Sequence, residues 1–334
     1  MKVALDAMGG DFAPVEAVSG AVMALNEMSH LEIILVGDKT LIEEELKKHN
    51  YDKNRVSIEH TDEIIDVHEK MSPAMAVKKQ PKASMNVAID CVIEGRAHAV
   101  VSAGNTGALM TASQMKLRRI KGVLRPAITT IFPSKHGHLV MLDAGANADC
   151  KPEFLNQFAL MSKVYADVLL DIKNPKIGLL NIGEEEGKGN EITKEAYTLM
   201  KENDKINFVG NIEPRDMMEG EVDIIVTDGF TGNIVLKTGE GVVKFIFDFL
   251  KQEIKSSFVL KIGALLLKPA FRRMKEKMDS SEYGGALFLG LNGISIKAHG
   301  NSDGKAFKNA IKVAEKFAEA DLTAKLKKVI DKEA

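Results

Sequence analysis

Five short segments of the chain combine glycine with hydroxyl, amide or carboxylate side chains, and each of them follows an apolar run. They are DAMGGD at 6–11, SAGNTG at 102–107, DAGAN at 143–147, NIGEEEGKGN at 181–190 and TDGFTGN at 227–233. Glycine permits close approach of the backbone to a ligand, and a helix that begins behind such a loop presents unpaired N–H groups to an anion. One loop of this kind is often only a tight turn. Five of them in one chain indicate an anion-binding site.

Phosphate is the anion that these loops fit best. SAGNTG and TDGFTGN each place glycine, a hydroxyl group and an asparagine between an apolar run and a helical pattern. The sequence has no GxxxxGK[ST] motif and its first loops lack the GxGxxG spacing, so a nucleoside triphosphate or a dinucleotide has no motif of its own. Inorganic phosphate or a small phosphate group remains. The residues expected to bind phosphate or the rest of the substrate are Gly9, Gly10, Asp11, Ser102, Gly104, Asn105, Thr106, Asp143, Asn147, Asn190, Asp228, Gly229, Thr231 and Gly232.

Three residues in or beside such loops are candidates for catalysis. Lys188 lies between glycines, where an ammonium group would neutralise phosphate or an oxyanion, although a solvated ion pair with 184–186 is the alternative. Asn233 would donate its amide to phosphate or to a carbonyl group, or it only caps the following helix. His299, with Lys297 nearby, is a candidate for proton transfer, and a structural histidine is the alternative.

Four aspartates accompany the glycine loops, namely Asp6, Asp11, Asp143 and Asp228. We interpret them mainly as loop anchors that accept Asx-type hydrogen bonds, with acid–base chemistry as the alternative. Their negative charge would repel phosphate unless it is paired. Because no HxxxH or EF-hand spacing accompanies them, we assign no metal, and no cofactor is expected.

The elements that must position these residues alternate along the chain. β-prone runs begin at 3, 32, 98, 127, 138, 176, 206 and 223, and helical patterns cover 14–28, 84–95 and 153–170, among others. Such alternation predicts an α/β fold with a largely parallel sheet. The carboxyl ends of parallel strands converge at one edge of a sheet, so the loops are expected to form one composite site. We expect residues 1–334 to form a single domain.

Composition excludes several classes of protein. The 334 residues include 45 Lys and Arg against 47 Asp and Glu, which argues against the basic surface of a nucleic-acid-binding protein. The two cysteines form no disulfide framework and no CxxC pair, so a reducing cytoplasm is expected; Cys91 is assigned to the core and Cys150 receives no role. The N-terminal apolar run is interrupted by Asp6 and predicts a first strand rather than a signal peptide. No stretch approaches the roughly 20 apolar residues of a membrane span.

The segment 239–278 predicts a helical hairpin, with Ser256 and Ser257 at or near its turn. Its apolar stretch 258–267 is framed by lysines, which is typical of a helix that lies in a membrane interface and attracts anionic lipid. Packing against a second subunit is the alternative. The residues expected to contact membrane are Phe258, Val259, Ile262, Leu265 and Leu266.

Seven motifs together resemble the phosphate acyltransferase family called PlsX, in order and across nearly the whole chain. They are MKVALDAMGGDFAP, SAGNTGALM, LDAGAN, LLNIGEEEGKGNE, VTDGFTGN, YGGALFLGLNG and KAHGNSD. The resemblance implies a three-layer, Rossmann-like α/β/α fold similar to phosphotransacetylases and isopropylmalate dehydrogenases. It also implies conversion of acyl-acyl-carrier-protein and inorganic phosphate to acyl phosphate and free carrier protein, for phospholipid synthesis. Phosphate itself would then be the nucleophile, so that no protein serine or cysteine has to attack. His299 would protonate the leaving thiolate or position the acyl carrier arm.

The resemblance further implies a homodimer in the cytoplasm, in peripheral contact with the inner face of an anionic membrane, that supplies a membrane glycerol-phosphate acyltransferase. Three alternatives remain at this point. They are a phosphotransacetylase acting on acyl-CoA, a dehydrogenase of the isopropylmalate type, and a non-catalytic scaffold that binds phosphate or lipid. The apolar hairpin and the absence of an evident CoA-phosphate patch favour the carrier-protein substrate.

Overall fold

The structure is a computed structural model that describes residues 1–65, 71–278 and 283–331. The described residues form twelve strands and eleven α-helices. The strands are β1 (Lys2–Asp6), β2 (Glu32–Gly37), β3 (Val56–His60), β4 (Ala99–Ser102), β5 (Ala127–Ile128), β6 (Thr130–Ser134), β7 (Gly137–Leu142), β8 (Lys176–Leu180), β9 (Asn207–Ile212), β10 (Ile224–Val226), β11 (Ala286–Leu289) and β12 (Ile294–Lys297). The helices are α1 (Val15–Glu27), α2 (Lys39–Leu46), α3 (Pro73–Lys79), α4 (Ser84–Ile93), α5 (Thr106–Lys116), α6 (Pro152–Leu170), α7 (Glu191–Glu202), α8 (Gly229–Ser256), α9 (Phe258–Met278), α10 (Gly304–Glu319) and α11 (Leu322–Ile330).

The strands form two sheets. The first has the order β3-β2-β1-β4-β12-β11-β5, and β11 runs antiparallel to both of its neighbours. The second has the order β6-β7-β10-β8-β9, in which β6 alone runs antiparallel to its neighbour. Thr129 separates β5 from β6, so the chain passes directly from one sheet to the other at this point. Both sheets are largely parallel, as predicted.

The first sheet lies between two layers of helices. Val3 and Leu5 of β1 belong to a buried apolar cluster that also contains residues of α1 and α10. Ala4, between them, belongs to a second cluster with residues of α4 and α5. Successive side chains of a strand point to opposite faces, so the two clusters lie on opposite sides of the sheet. The three-layer α/β/α prediction is confirmed.

The predicted hairpin is formed by α8 and α9, which are separated by Ser257 alone. Its turn is where the sequence indicated, whereas α8 begins at Gly229 rather than near 239. The residues assigned to membrane contact lie on α9, and Phe258, Val259, Leu265 and Leu266 are 69–78% exposed. Within the described ranges, no helix has both the length and the apolarity that crossing a membrane requires. The assignment of the whole chain to one domain stays a prediction.

Candidate active site

The strand-end loops surround a cavity of about 620 Å³ between the two sheets. The loops after β1 and β4 form one wall, the loop between β12 and α10 forms another, and α8 closes the opposite side. Of the sequence-predicted residues, those that line the cavity are Gly9, Gly10, Asp11, Gly104, Asn105, Thr106, Asn233 and His299. Four of the five glycine loops therefore contribute residues to one site, since Ala144 of the DAGAN loop lines it as well.

The loops after β1 and β4 are fixed to each other by a buried carboxyl group. Ser102 Oγ donates a hydrogen bond to Asp6 Oδ2 at 2.6 Å and accepts one from the Gly104 N–H at 3.1 Å. A Cβ atom on Gly9 would lie 2.6 Å from Asp6 Oδ2 and 2.8 Å from the Gly104 nitrogen, so this position requires glycine. Burial raises the pKa of Asp6, which is 1% exposed, and its hydrogen bonds oppose that shift. Asp6 and Ser102 therefore set the shape of the wall.

The β1 loop also contacts the loop after β12. The Asp11 N–H donates to the Gly300 carbonyl oxygen at 2.8 Å. Gly10 has a φ of 104°, in the left-handed region, and a Cβ atom there would lie 3.1 Å from the same carbonyl oxygen. This junction brings the Asp11 carboxylate and the segment 297–302 to one side of the cavity.

The N-terminus of α5 lies at the cavity wall. Asn105 Oδ1 accepts a hydrogen bond from the Ala108 N–H at 3.0 Å, so this side chain serves as the helix cap. Asn105 and Thr106 both line the cavity. The positive end of the helix dipole is therefore available to an anion in the cavity.

Asp143 organises the DAGAN loop from within. Its Oδ1 accepts N–H bonds from Ile128, Gly145 and Ala146 at 2.9–3.1 Å, and its Oδ2 accepts from the backbone and the side-chain amide of Asn147 at 2.7 and 2.8 Å. The side chain is fully buried, and burial raises its pKa while these donors act in the opposite direction. Asp143 and Asn147 stand behind the cavity wall rather than in it. Asp143 therefore anchors the DAGAN loop, which is the main interpretation that the sequence analysis gave to the aspartates.

The TDGFTGN loop is docked on DAGAN through backbone contacts. The Gly229 N–H donates to the Asn147 carbonyl oxygen at 2.8 Å, and Gly232 has no room for a Cβ atom because the Asp143 carbonyl oxygen occupies that position. Asp228 caps α8 by accepting from the Thr231 N–H and the Thr231 hydroxyl, each at 2.8 Å. These predicted binding residues therefore shape and support the site, and they do not line it.

Asn233 lies one turn into α8 and lines the cavity. Asp228 fills the capping role that was the alternative for Asn233. A Cβ atom on Gly145 would lie 3.5 Å from Asn233 Cβ, an ordinary van der Waals contact, so the DAGAN loop lies directly beside this asparagine. Its amide is exposed and free to reach a bound ligand.

The structure does not bring the NIGEEEGKGN loop to the cavity. Lys188 is 49% exposed, and its ammonium group lies 3.8 Å from Glu185 in a surface ion pair. Asn190 caps α7, since its Oδ1 accepts from the Thr193 N–H at 2.9 Å. Neither residue lines the cavity, and the solvated ion pair that was the alternative for Lys188 is present. The catalytic role of Lys188 stays a prediction.

Lys297 and Ser302 line the cavity and were absent from the predicted set. Lys297, the last residue of β12, donates hydrogen bonds to the carbonyl oxygens of Ala103, at 3.2 Å, and Ala298. Burial lowers the pKa of this lysine to about 8. Ser302, 5% exposed, also lines the cavity. The sequence signal for both was the motif KAHGNSD, from which only His299 was selected.

The side chains that line the cavity are suited to binding an anion, and neither cysteine is placed to act as a nucleophile there. Cys91 and Cys150 lie outside the cavity, and burial raises the pKa of their thiols to about 11 and about 12. Within the described part of the chain, the cluster with metal-ligand spacing is His30, Glu315 and Glu319, and it also lies outside the cavity. The cavity offers the partly buried ammonium group of Lys297, a helix N-terminus, an amide and an imidazole instead.

Solved structures share this fold. The chain superposes on a phosphotransacetylase from Streptococcus pyogenes with a TM-score of 0.63 and 20% identity, covering 96% of this chain and 94% of that one. A branched-chain phosphotransacylase from Enterococcus faecalis V583 gives a TM-score of 0.57 and 14% identity, covering 95% and 99% of the two chains. At these identities the likeness establishes the fold alone, and it agrees with the predicted superfamily.

Sequence comparisons establish the family. The family model described as fatty acid synthesis protein matches residues 1–325. A phosphate acyltransferase from Fusobacterium nucleatum subsp. nucleatum is 56% identical over 334 residues, which is 100% of both chains. A phosphate acyltransferase from Clostridium tetani is 51% identical, covering 98% of this chain and 97% of the other. Because the family model spans nearly the whole sequence and these relatives are more than half identical along almost their entire length, the chain belongs to the PlsX family of phosphate acyltransferases, which are acyltransferase enzymes.

Proposed function

We propose that this enzyme transfers a long-chain acyl group from acyl-carrier protein to inorganic phosphate, giving acyl phosphate and free carrier protein for phospholipid synthesis. The observation that carries the proposal is the cavity between the sheets, where the partly buried Lys297 and the N-terminus of α5 favour an anion. Apolar side chains, including Met8, Met85 and Leu236, line the same cavity and suit an acyl chain. Phosphate and acyl group therefore meet in one enclosed space.

In the proposed reaction, a phosphate oxygen attacks the carbonyl carbon of the thioester. A C–O bond forms, the carbonyl oxygen becomes an oxyanion, and collapse of this intermediate breaks the C–S bond. The thiolate of the carrier arm leaves and takes up a proton. Holding the two reactants in register supplies about 7–11 kcal/mol in favourable cases. The reaction therefore needs positioning and charge stabilisation rather than a covalent enzyme intermediate.

Two cavity side chains have the chemistry for the charged steps. The exposed amide of Asn233 donates a hydrogen bond to the developing oxyanion, a contribution of roughly 3–4 kcal/mol for a well-placed donor. His299 stands exposed on the opposite wall and protonates the departing sulfur. Lys188 would join them only if the loop after β8 moves toward the cavity when substrate binds.

The hairpin of α8 and α9 is proposed to hold the enzyme on an anionic membrane at the cytoplasmic face. Support comes from the exposed apolar side chains on both helices, with Phe245 68% exposed on α8 and Leu266 78% exposed on α9, and from Lys255, Lys261 and Lys268 along the same hairpin. A homodimer contact is compatible with the same surface. Acyl phosphate released there would reach a membrane glycerol-phosphate acyltransferase, and the hairpin cations also suit the acidic carrier protein.

The decisive assay measures consumption of a long-chain acyl-carrier-protein thioester with and without orthophosphate. Labelled orthophosphate should appear in an acylated product, and free carrier protein should accumulate in equal amount. Thioester loss that is independent of phosphate would refute the proposal. Equal or greater activity on short-chain acyl-CoA would favour the phosphotransacetylase alternative instead, so both thioesters are tested over a series of chain lengths.

A further inference from the structure

The hydroxyl group of Ser302 is buried without a partner. Ser302 is 5% exposed, and its Oγ makes no hydrogen bond among the described residues. Other buried serines differ in this respect, since Ser102 donates to Asp6 and Ser162 donates to the Ala159 carbonyl oxygen at 2.7 Å. A buried hydroxyl group without a partner is destabilising, and native proteins seldom leave one. Because Ser302 lines the cavity, a bound ligand would supply the missing partner.

The positive charge of Lys297 has no neutralising partner either. Its ammonium group contacts two carbonyl oxygens, and among the described residues no carboxylate lies within ion-pair distance of it. Asp11 and Asp6 act on it only at longer range. The second lysine of the cavity, Lys237, differs because Glu240 Oε2 lies 2.8 Å from its ammonium group. Lys297 is therefore suited to an anionic ligand.

Lys297 ends β12, and Ser302 lies in the short segment that connects β12 to α10. The segment is held in place by two backbone bonds, from the Asp11 N–H to the Gly300 carbonyl oxygen and from the Ser302 N–H to the His299 carbonyl oxygen at 3.1 Å. We propose that Lys297 and Ser302 bind the phosphate that accepts the acyl group, Lys297 by its charge and Ser302 by donating a hydrogen bond to a phosphate oxygen. This inference rests on the proposed function and deepens it. It assigns phosphate recognition to a loop outside the five glycine loops.

The first test replaces Ser302 by alanine and measures steady-state kinetics. A hydrogen bond to a charged group corresponds to about 10- to 100-fold in affinity, so Ser302→Ala should raise KM for phosphate by that factor. KM for the acyl thioester should stay unchanged. Ser302→Thr keeps the hydroxyl group and should restore most of the affinity, whereas Lys297→Met should weaken phosphate binding more than Ser302→Ala does. A rise in the thioester KM alone, or an unchanged phosphate KM, would overturn the assignment.

The second test needs no turnover. Orthophosphate should raise the melting temperature of the wild-type protein, because a ligand that binds only the folded state stabilises it, and the increase should shrink in Ser302→Ala. Without phosphate, Ser302→Ala should melt no lower than wild type, since the hydroxyl group has no partner to lose. Ser162→Ala is the matched control, as it removes a paired, buried hydroxyl group outside the cavity and should leave phosphate binding intact.

The two tests separate this inference from the proposed function. Suppose that the wild-type protein binds orthophosphate, that Ser302→Ala and Lys297→Met do not, and that the wild type fails to consume the thioester. The phosphate site is then supported and the proposed reaction is refuted. If the wild-type protein is active with phosphate and both variants bind orthophosphate normally, the reaction stands and the assignment of these two residues is refuted.

Discussion

Replacing Lys297 by methionine is expected to change how the free energy of unfolding depends on pH. Burial lowers the pKa of this lysine to about 8 in the folded protein, against 10.5 for an ordinary lysine. The negative charges of Asp11 and Asp6 raise the pKa of Lys297, and the positive charge of Lys237 lowers it further. The net pKa of about 8 includes these three neighbouring charges. Methionine keeps much of the length of the side chain and removes its charge.

The sign follows from proton binding in the two states. Between pH 8 and 10.5, the lysine of the unfolded chain still holds a proton that the folded protein has released. Stability rises with pH wherever the unfolded state binds more protons. At about 1.4 kcal/mol per pKa unit, the interval corresponds to roughly 3 kcal/mol. Below pH 8 both states are protonated and the contribution no longer changes.

The assay is urea unfolding followed by circular dichroism at pH 7, 8, 9 and 10. At each pH, the unfolding free energy of the variant is subtracted from that of the wild type, which removes the contribution of titratable groups that the two proteins share. The wild type should gain about 2–3 kcal/mol relative to Lys297→Met between pH 8 and pH 10. Lys163→Met is the control, because the hydrogen bond of Lys163 in the described part of the chain goes to the Lys205 carbonyl oxygen at an exposed site. The difference in unfolding free energy between wild type and this variant should not change with pH. A flat difference for Lys297→Met as well would refute the burial of a charged lysine.

Further predictions concern the loops and the hairpin. Gly232→Ala should destabilise the protein by about 1–3 kcal/mol and lower activity, because a Cβ atom would overlap a backbone carbonyl oxygen; an unchanged melting temperature would contradict this. Lys188→Ala should lower turnover by about 100-fold if the lysine stabilises an oxyanion, with folding intact because only an exposed ion pair with Glu185 is lost; normal turnover would remove it from the mechanism. Replacing Leu265 and Leu266 by Glu should abolish sedimentation with anionic vesicles and spare activity in solution, and unchanged sedimentation would refute the membrane role.

The sequence predicted most of the strands, including the three-residue β10 and the edge strand β9, and it missed β3, β11 and β12. β1, β2 and β7 are continuous apolar runs, which parallel strands between helix layers require. β3 is an edge strand with half-exposed residues, so its apolar pattern is weak. β12 has four residues and lies between β4 and β11, a pairing across nearly two hundred positions that no local pattern encodes. The division of the strands into two sheets also could not be predicted, because it depends on pairing between strands that are far apart in the sequence.

The same limit applies to the site. The glycine loops after β1, β4, β7 and β10 could be predicted as neighbours, because strand ends converge. The argument fails for the loop that carries Lys188, since β8 is separated from the β6 edge of its sheet by β10 and β7. Lys297 reaches its partly buried position because β12 pairs with β4, in a register that sets Lys297 beside Ser102. Neither that register nor the missing partner of Ser302 can be inferred from spacing.

The register of β12 also answers how phosphate can bind beside aspartates. Burial raises the pKa of Asp6 and so reduces the negative charge that the cavity presents, whereas the hydrogen bond from the Ser102 hydroxyl group opposes that shift. The pairing of β12 with β4 then brings the ammonium group of Lys297 to the same strand ends, where the Asp11 carboxylate also lies. A phosphate in the cavity would thus lie near the positive charge of Lys297, which no ion pair among the described residues neutralises. Asp11, and more weakly Asp6, favours the protonated form of Lys297, and a bound phosphate would favour it further.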